Sequence, residues 1–247
     1  MSHHFLVVGA QRCGTTWLHD QLAAHPDIAM ARPYRPEPKV FLDPEPLDAR
    51  SYRERYFPHA TDEHALGEKS TSYLETPQAP GRVAATLGSP KIVVQLRDPV
   101  QRAVSNYRFS CAHGMEDRTL DEALRGDLTA PRPWDRSRSS VSPFAYVSRG
   151  RYAHELARWL DRFEVHVQFL EEVRAEPDRI GALYRWLEVD GSFRHDRGGE
   201  LVNASAPTEE HLAPDLLADL REYYNSSDTA LAALVGRPLP WPHRRST

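Results

Sequence analysis

The amino-acid sequence predicts an α/β fold in which helices cover both faces of a central parallel sheet. Two apolar runs of strand length, beginning at Phe5 and Lys91, and one alternating run, beginning at Val165, are each followed by a segment with helical spacing. Strands that alternate with helices pair in parallel, because each helix returns the chain across the sheet before the next strand begins. The 247 residues, 40% of them hydrophobic, can bury one sizeable core. We therefore expect a single domain over residues 1–247.

The first strand and the first helix flank a turn that contains glycines. Phe5–Val8 predicts a short buried strand, Gly9–Gly14 forms the turn, and the apolar spacing of Trp17–Ala24 predicts a helix. The next segment, Arg32–Pro46, contains five prolines. Since proline cannot continue a regular helix, we expect an ordered or gating loop there.

Two further strand and helix pairs follow. Lys91–Leu96 predicts a strand, and Val100–Phe109 has helical spacing. Val165–Leu170 alternates like a strand, and a helix is expected over about Arg179–Leu187. These pairs repeat the arrangement at the start of the chain and support the parallel sheet.

Two segments lie outside this pattern, one rich in polar residues and the other amphipathic. Leu128–Pro143 has too little apolar content to pack, so we expect a mobile surface loop that could close over a substrate. His211–Leu234 is expected to form one or two amphipathic helices, with Pro238–Pro242 packing back on the protein.

The composition argues against several classes of function. The formal net charge of -4 leaves no global basic field, so we expect no nucleic-acid partner. Cys13 and Cys111 lie far apart, which argues against a disulfide framework and a zinc site and favours a reducing, cytoplasmic location. No basic leader or long apolar segment opens the sequence, so we expect no membrane attachment. The histidines show no shared spacing of a metal site.

The turn after the first strand has the pattern of a phosphate-binding loop. Gly9–Thr16 lies between a strand and a helix, where backbone N–H groups and the helix dipole can hold an anion. The glycine spacing matches a Walker A loop, but Thr15 stands at the lysine position and Arg12 is the basic residue of the loop. A nucleoside triphosphate needs that lysine. The loop therefore favours a shorter anion such as a phosphosulfate over ATP, with a turn that binds no ligand as the alternative.

A second motif follows the strand Lys91–Leu96. Arg97 stands at the carboxyl end of this strand, where open α/β sheets bind ligands, and Ser105 follows within the predicted helix. The arginine fork and the serine hydroxyl can bind one phosphate together. The alternative is a surface ion pair between Arg97 and Asp98, with Asp98 capping the helix.

The two motifs resemble those of sulfotransferases that use 3′-phosphoadenosine 5′-phosphosulfate (PAPS), in particular the heparan sulfate, bacterial carbohydrate and natural-product branch. The resemblance implies a three-layer, P-loop-like fold and PAPS as the donor. It implies that Arg97 and Ser105 bind the 3′-phosphate, while Tyr152, in a Gly150-x-Tyr152 segment, touches the adenosine or packs at a helix start. The implied residues for the 5′-phosphosulfate are Arg12, Cys13, Gly14, Thr15, Thr16 and Trp17.

The resemblance also implies the catalytic residues. Glu37-Pro-Lys-Val-Phe is similar to the E-x-H-F-F segment of that branch, which makes Glu37 the general base, and Gly67-Glu-Lys69 is similar to its V-E-K segment. Lys69 and Arg12 would then neutralise charge on the bridging oxygen and the sulfuryl group, without a metal ion. Glu68 stays open as the alternative base. In an extended segment Glu68 and Lys69 point to opposite faces, so only one of them can face the site.

The sequence therefore predicts an enzyme that moves a sulfuryl group from PAPS to an acceptor hydroxyl or amine and releases 3′,5′-ADP (PAP). A carbohydrate, a lipid and a secondary metabolite are all admissible acceptors, and the oligomeric state is open. The alternatives are a P-loop nucleotide kinase or NTPase and a nucleotide-binding module without catalysis. Members of the sulfotransferase family also have a basic loop near the C-terminus that completes the 3′-phosphate site. In this sequence only Phe193–Gly199 could take its place, and its resemblance to that loop is weak.

Overall fold

A computed structural model describes residues 3–135, 141–195 and 212–242 of the chain. Over these residues it contains one sheet of five parallel strands in the spatial order β2-β3-β1-β4-β5. The strands are β1 (His3–Gly9), β2 (Ile28–Met30), β3 (Ala65–Lys69), β4 (Lys91–Leu96) and β5 (Val165–Phe169). The α-helices are α1 (Thr15–Ala24), α2 (Ala49–Tyr56), α3 (Ala79–Leu87), α4 (Pro99–Ala112), α5 (Leu120–Thr129), α6 (Tyr152–Leu160), α7 (Leu170–Ala175), α8 (Ile180–Trp186) and α9 (Pro214–Val235).

Strand β1 lies in the middle of the sheet, with β3 on one side and β4 on the other. The chain leaves β3 and re-enters the sheet on the far side of β1. The carboxyl end of β1 is therefore the point where the strand order reverses, and open α/β sheets bind their ligands at such points. The loop Gly9–Gly14 begins there.

The chain divides into two compact units, residues 1–96 with 155–202 and residues 97–154 with 203–247. The first unit contains the whole sheet between two helical layers. Phe5 of β1 packs in one hydrophobic cluster with Leu18 of α1 and Leu183 of α8. The next side chain towards the amino end, His4, contacts Tyr52 of α2 on the opposite face. This three-layer arrangement confirms the predicted fold class.

The second unit is helical in its described part and has its own core. Val104 of α4, Leu124 of α5 and Tyr224 of α9 belong to one buried cluster. Arg102, fully buried, donates from Nη1 to Asn106 Oδ1 at 3.2 Å. Its charge is therefore held by hydrogen bonds inside the unit, as burial of an arginine requires.

The predicted strands at Phe5, Lys91 and Val165 are confirmed as β1, β4 and β5, and the predicted helices as α1, α4 and α8. Strands β2 and β3 are absent from the sequence-based prediction. Strand β2 has three residues, and β3 ends in Glu68-Lys69, so neither is an apolar run of strand length. Of the one or two amphipathic helices predicted near the C-terminus, the described residues contain one, α9. The segment after it packs against this helix, since Trp241 Nε1 donates to Asp228 Oδ2 at 3.0 Å.

The two predicted loops differ in outcome. Arg32–Pro46 is ordered and contains a short 3₁₀ turn around the buried Phe41. The expectation that Leu128–Pro143 does not pack is wrong for its described ends. Leu128 and Thr129 belong to α5, and the carbonyl of Pro143 accepts from Ser110 Oγ at 2.9 Å. Residues 136–140 lie outside the described residues, as do residues 196–199 of the late loop.

Candidate functional site

The loop after β1 has the geometry of an anion-binding turn. Its backbone is fixed at the start, where Ala10 N donates to Gln95 O at 2.8 Å. Arg12 (φ 66°) and Gly14 (φ 78°) both take left-handed conformations, which a glycine adopts without steric cost. Gly14 is the N-cap of α1 and offers no side chain to the helix. The first N–H groups of α1 therefore lack intrahelical acceptors and sit at the positive end of its dipole.

Two buried glutamines support this loop from the strands beneath it. Gln95 Nε2 donates to Cys13 O at 2.6 Å, and Gln168 Nε2 donates to Gln95 Oε1 at 2.6 Å. Sequence reasoning missed both residues. The available signal was Gln95 within the apolar run of β4, because buried polar groups need specific hydrogen-bond partners.

The side chains of the loop divide between the interior and the surface. Cys13 is fully buried, and Trp17 packs in the hydrophobic cluster of the first unit. Only the backbone of these two residues could meet a ligand, and Cys13 N already donates to Ala10 O at 3.3 Å. Thr15 is buried, while Thr16 and Arg12 are half-buried.

Glu37 and Lys69, predicted from separate segments, lie in direct contact. Lys69 Nζ donates to Glu37 Oε1 at 2.5 Å, and both side chains are largely buried. Thr71 N donates to Glu37 Oε2 at 3.1 Å, and the Thr71 hydroxyl lies 3.1 and 3.2 Å from the two carboxylate oxygens. The carboxylate is thus oriented by three groups from the carboxyl end of β3. Sequence reasoning missed Thr71 as a partner of Glu37.

Strand register decides which side of the sheet each charged residue of β3 occupies. Lys69 pairs with Val7 of β1, and Glu68 pairs with Leu6. Because side chains alternate along a strand, Lys69 points to the face that α1 covers and Glu68 points to the face that α2 covers. The predicted opposition of Glu68 and Lys69 is confirmed.

Glu68 is fully buried, and three hydroxyl groups satisfy its carboxylate. Tyr52 OH donates to Glu68 Oε2 at 2.7 Å, while Ser70 Oγ and Tyr73 OH donate to Oε1 at 2.6 and 2.7 Å. Both oxygens are engaged away from the Glu37–Lys69 pair. Glu37 is therefore the better placed of the two candidate bases.

The hydroxyl groups bound to Glu68 also hold the loop that carries Glu37. Lys39 N donates to Ser70 Oγ at 2.9 Å, and Phe41 N donates to Tyr73 OH at 3.2 Å. Glu68 thus positions the proline-rich loop through Ser70 and Tyr73.

Replacing Glu68 with glutamine is expected to remove a pH dependence of stability. Burial raises the pKa of Glu68, so the folded protein binds this proton more tightly than the unfolded chain does. The free energy of unfolding of the wild type should therefore fall as the pH rises above about 4.3, by at most about 1.4 kcal/mol per pH unit. Urea unfolding from acidic to neutral pH measures this slope, with the exposed Glu54→Gln as control. Equal slopes for wild type and Glu68→Gln would contradict the assignment.

The second predicted motif lies in the second unit. Arg97 directly follows β4 and is half-buried, and its side chain has no hydrogen bond or ion pair with the described residues. Ser105 is buried in α4. The predicted capping by Asp98 is confirmed, since its Oδ1 accepts from Val100 N at 2.9 Å. The alternative ion pair with Arg97 is wrong, because the partner of Asp98 is Arg221, at 2.7 Å.

Tyr152 begins α6 and is almost fully buried. Its hydroxyl donates to Arg97 O at 2.9 Å. Leu156 and Trp159 of the same helix are fully buried, as expected for the packing alternative. Tyr152 therefore supports the backbone at Arg97, and its contact with an adenosine stays a prediction.

Comparison with known proteins gives consistent matches. The family described as "Sulfotransferase domain" matches residues 2–191. The chain is 30% identical over 200 residues to the bifunctional heparan sulfate N-deacetylase/N-sulfotransferase 1 of Caenorhabditis briggsae, covering 74% of this chain and 22% of that protein. It is 30% identical over 190 residues to the human heparan sulfate glucosamine 3-O-sulfotransferase 3B1, and that match covers 76% of this chain and 46% of the human protein.

A crystal structure of a sulfotransferase from Alicyclobacillus acidocaldarius is similar over nearly the whole chain. The TM-score is 0.79 at 27% sequence identity, and the match covers 97% of this chain and 98% of that one. The chain spans less than half of the length of the two curated relatives. Within the described residues, the helices are too short or too polar to span a bilayer.

Proposed function

Because this chain belongs to the sulfotransferase domain family, we propose that it transfers a sulfuryl group from PAPS to a hydroxyl or amine of a carbohydrate acceptor and releases PAP. The observation that carries the proposal is the contact between Glu37 and Lys69. A transfer of this kind needs a base for the acceptor proton and a cation for the leaving oxygen, and these two residues supply both.

In the proposed step the acceptor oxygen or nitrogen attacks sulfur in line with the bond from sulfur to the 5′-phosphate oxygen. That bond breaks as the new one forms. Glu37 takes the acceptor proton, and Lys69 turns from Glu37 to stabilise and protonate the leaving oxygen. Arg12 is a weaker proton donor than a lysine, so it contributes charge near the sulfuryl group.

We assign the donor to the backbone of the loop and to the second motif. The free N–H groups of Gly14, Thr15 and Thr16 suit the 5′-phosphate, and the family relationship supports PAPS as the donor. Arg97 and Ser105 are proposed to bind the 3′-phosphate. None of these roles requires a metal ion.

Stabilisation by PAP, without a metal, tests the proposed donor. At a PAP concentration 100-fold above its Kd, binding adds about 2.7 kcal/mol to the free energy of unfolding, which raises the thermal midpoint by several degrees. Mg-ATP should give a smaller shift, because Thr15 stands at the lysine position of a Walker loop. A shift with Mg-ATP but not with PAP would reject the proposal in favour of a nucleotide kinase.

Gly14→Ala provides a variant for the same measurement. A Cβ at Gly14 would lie 2.7 Å from Leu170 Cδ1, and φ is +78°. The variant should lose the PAP shift because the loop must move. Gly236→Ala is the matched control, since Gly236 has φ +67° and open space at its Cβ. An equal PAP shift in Gly14→Ala and wild type would show that the loop is not the donor site.

The named relatives act on heparan sulfate, which supports a carbohydrate acceptor for this chain. A PAPS-consumption screen against an acceptor library, with mass detection of the product, identifies the acceptor and distinguishes O- from N-sulfation. Absence of turnover with every acceptor, together with PAP binding, would favour a nucleotide-binding module without catalysis.

We also propose that both compact units act as one sulfotransferase domain, because the family match at residues 2–191 runs through the sequence of both. The cytoplasmic location stays a prediction from the cysteine pattern.

A further inference from the structure

A group of metal-ligating side chains lies at the amino end of the sheet, the end opposite the phosphate loop. His3 begins β1, His64 directly precedes β3, and Glu188 follows α8. One ligand atom from each of the three lies within 4.8 Å of the others. Strands β1 and β3 are parallel neighbours, and their register pairs His3 with Ala65, so His3 and His64 lie close together although they are far apart in sequence.

The geometry directs these side chains towards a common point. His64 Nε2 lies 3.9 Å from Glu188 Oε2. The rings of His3 and His64 meet edge to face, with centroids 5.3 Å apart. His3 Nε2 is buried and has no hydrogen-bond partner among the described residues. Such an orphaned imidazole nitrogen is costly in a folded protein unless a ligand or water satisfies it.

A second layer of contacts holds the carboxylate in place. Lys91 Nζ donates to Glu188 Oε1 at 2.8 Å and to Trp186 O at 2.5 Å. The other carboxylate oxygen, Glu188 Oε2, therefore faces His64. Backbone contacts fix the other side, since His3 N donates to His64 O at 3.1 Å. Outer contacts of this kind orient the ligands in metal sites.

Lys91 also lies close to this group, because its Nζ donates to Glu188 Oε1 at 2.8 Å. The positive charge of Lys91 opposes the binding of a cation, and the carboxylate of Glu188 balances that charge.

We propose that His3, His64 and Glu188 bind a divalent transition-metal ion of the Zn²⁺ class. Two imidazoles and one carboxylate form a ligand set that suits Zn²⁺ and leaves a position for water. The group lines an open cavity of about 690 Å³, so an ion can enter. Six residue steps along β1 separate His3 from Gly9, about 20 Å. The ion therefore stabilises the amino end of the sheet and takes no part in sulfuryl transfer.

Titration of the full chain with Zn²⁺ by calorimetry, and with Co²⁺ by visible absorption, tests the site. We expect one ion per chain, a higher thermal midpoint with Zn²⁺, and no response to Mg²⁺, which prefers oxygen ligands. His64→Ala and Glu188→Gln should each weaken Zn²⁺ binding by about 10-fold or more. The matched control is His154→Ala, which removes an exposed histidine of α6 and should leave binding unchanged.

His64 and Glu188 are exposed, so these variants are expected to fold, and their thermal midpoints without metal verify this. The proposal is overturned if the wild type binds no Zn²⁺, or if a His64→Ala/Glu188→Gln double variant retains wild-type affinity, which would place the ion on other histidines. Loss of Zn²⁺ binding in both single variants, with normal binding in His154→Ala, supports it. These outcomes do not depend on the proposed transfer reaction.

Discussion

Glu37→Gln is expected to lower kcat about 10²- to 10⁴-fold, the usual contribution of a general base. The glutamine oxygen can still accept from Lys69, whose Nζ lies 2.5 Å from Glu37 Oε1, and from Thr71. The loop therefore keeps its position, while the side chain can no longer take the acceptor proton. Steady-state kinetics with the acceptor that the screen identifies measure kcat, and the PAP thermal shift measures donor binding, which should not change.

Glu45→Gln is the matched control, because Glu45 is an exposed carboxylate of the same proline-rich loop. Its kcat should equal that of the wild type. If Glu37→Gln kept more than about a tenth of the wild-type kcat, a loss smaller than general-base catalysis provides, Glu37 would not be the base. A lost PAP shift would instead indicate that Glu37 acts on the donor loop.

Lys69→Met is expected to lower kcat about 10²- to 10³-fold, the effect of removing one group that stabilises developing charge. Methionine fills a similar volume, so the buried end of β3 should remain packed. The variant leaves the Glu37 carboxylate without its cation, but Thr71 N still donates to it at 3.1 Å. Single-turnover measurements with PAPS separate this loss from any change in product release.

Lys69→Arg and Arg53→Met distinguish charge from proton donation. Lys69→Arg keeps the charge but donates a proton poorly, so a kcat between those of the wild type and Lys69→Met is expected. Arg53→Met removes an exposed cation of α2 and should leave kcat unchanged. Wild-type kcat in Lys69→Met would exclude Lys69 from the transfer step.

The parts of the fold that could be predicted were those with a strong local pattern. Strands β1 and β4 are apolar runs, so their burial is visible in the sequence itself, and β5 shows the alternation of a strand. Strand β3 is equally buried, yet it contains Glu68 and Lys69. Its burial depends on Tyr52, Tyr73 and Glu37, which come from other segments. No local pattern contains those partners.

The candidate site shows the same division. The glycine spacing of Gly9–Thr16 and the position of Arg97 after a strand pointed to a donor nucleotide without any structure. The choice between Glu37 and Glu68 as base stayed open, because both carboxylates stand near a lysine in sequence. The register of β3 against β1 separates them, since it turns Glu68 towards the tyrosines and Lys69 towards Glu37.

The sequence alone was sufficient for the parallel α/β architecture and for the turn between β1 and α1 that we propose as the donor site, because apolar periodicity and backbone conformation at glycines are local properties. Tertiary structure was needed for every feature that joins distant segments. Glu37 and Lys69 meet across 32 residues, and His3, His64 and Glu188 meet only because strand pairing and helix packing bring their segments to one end of the sheet. Contacts of that kind follow from strand order and register, which the spacing of residues along the chain does not encode.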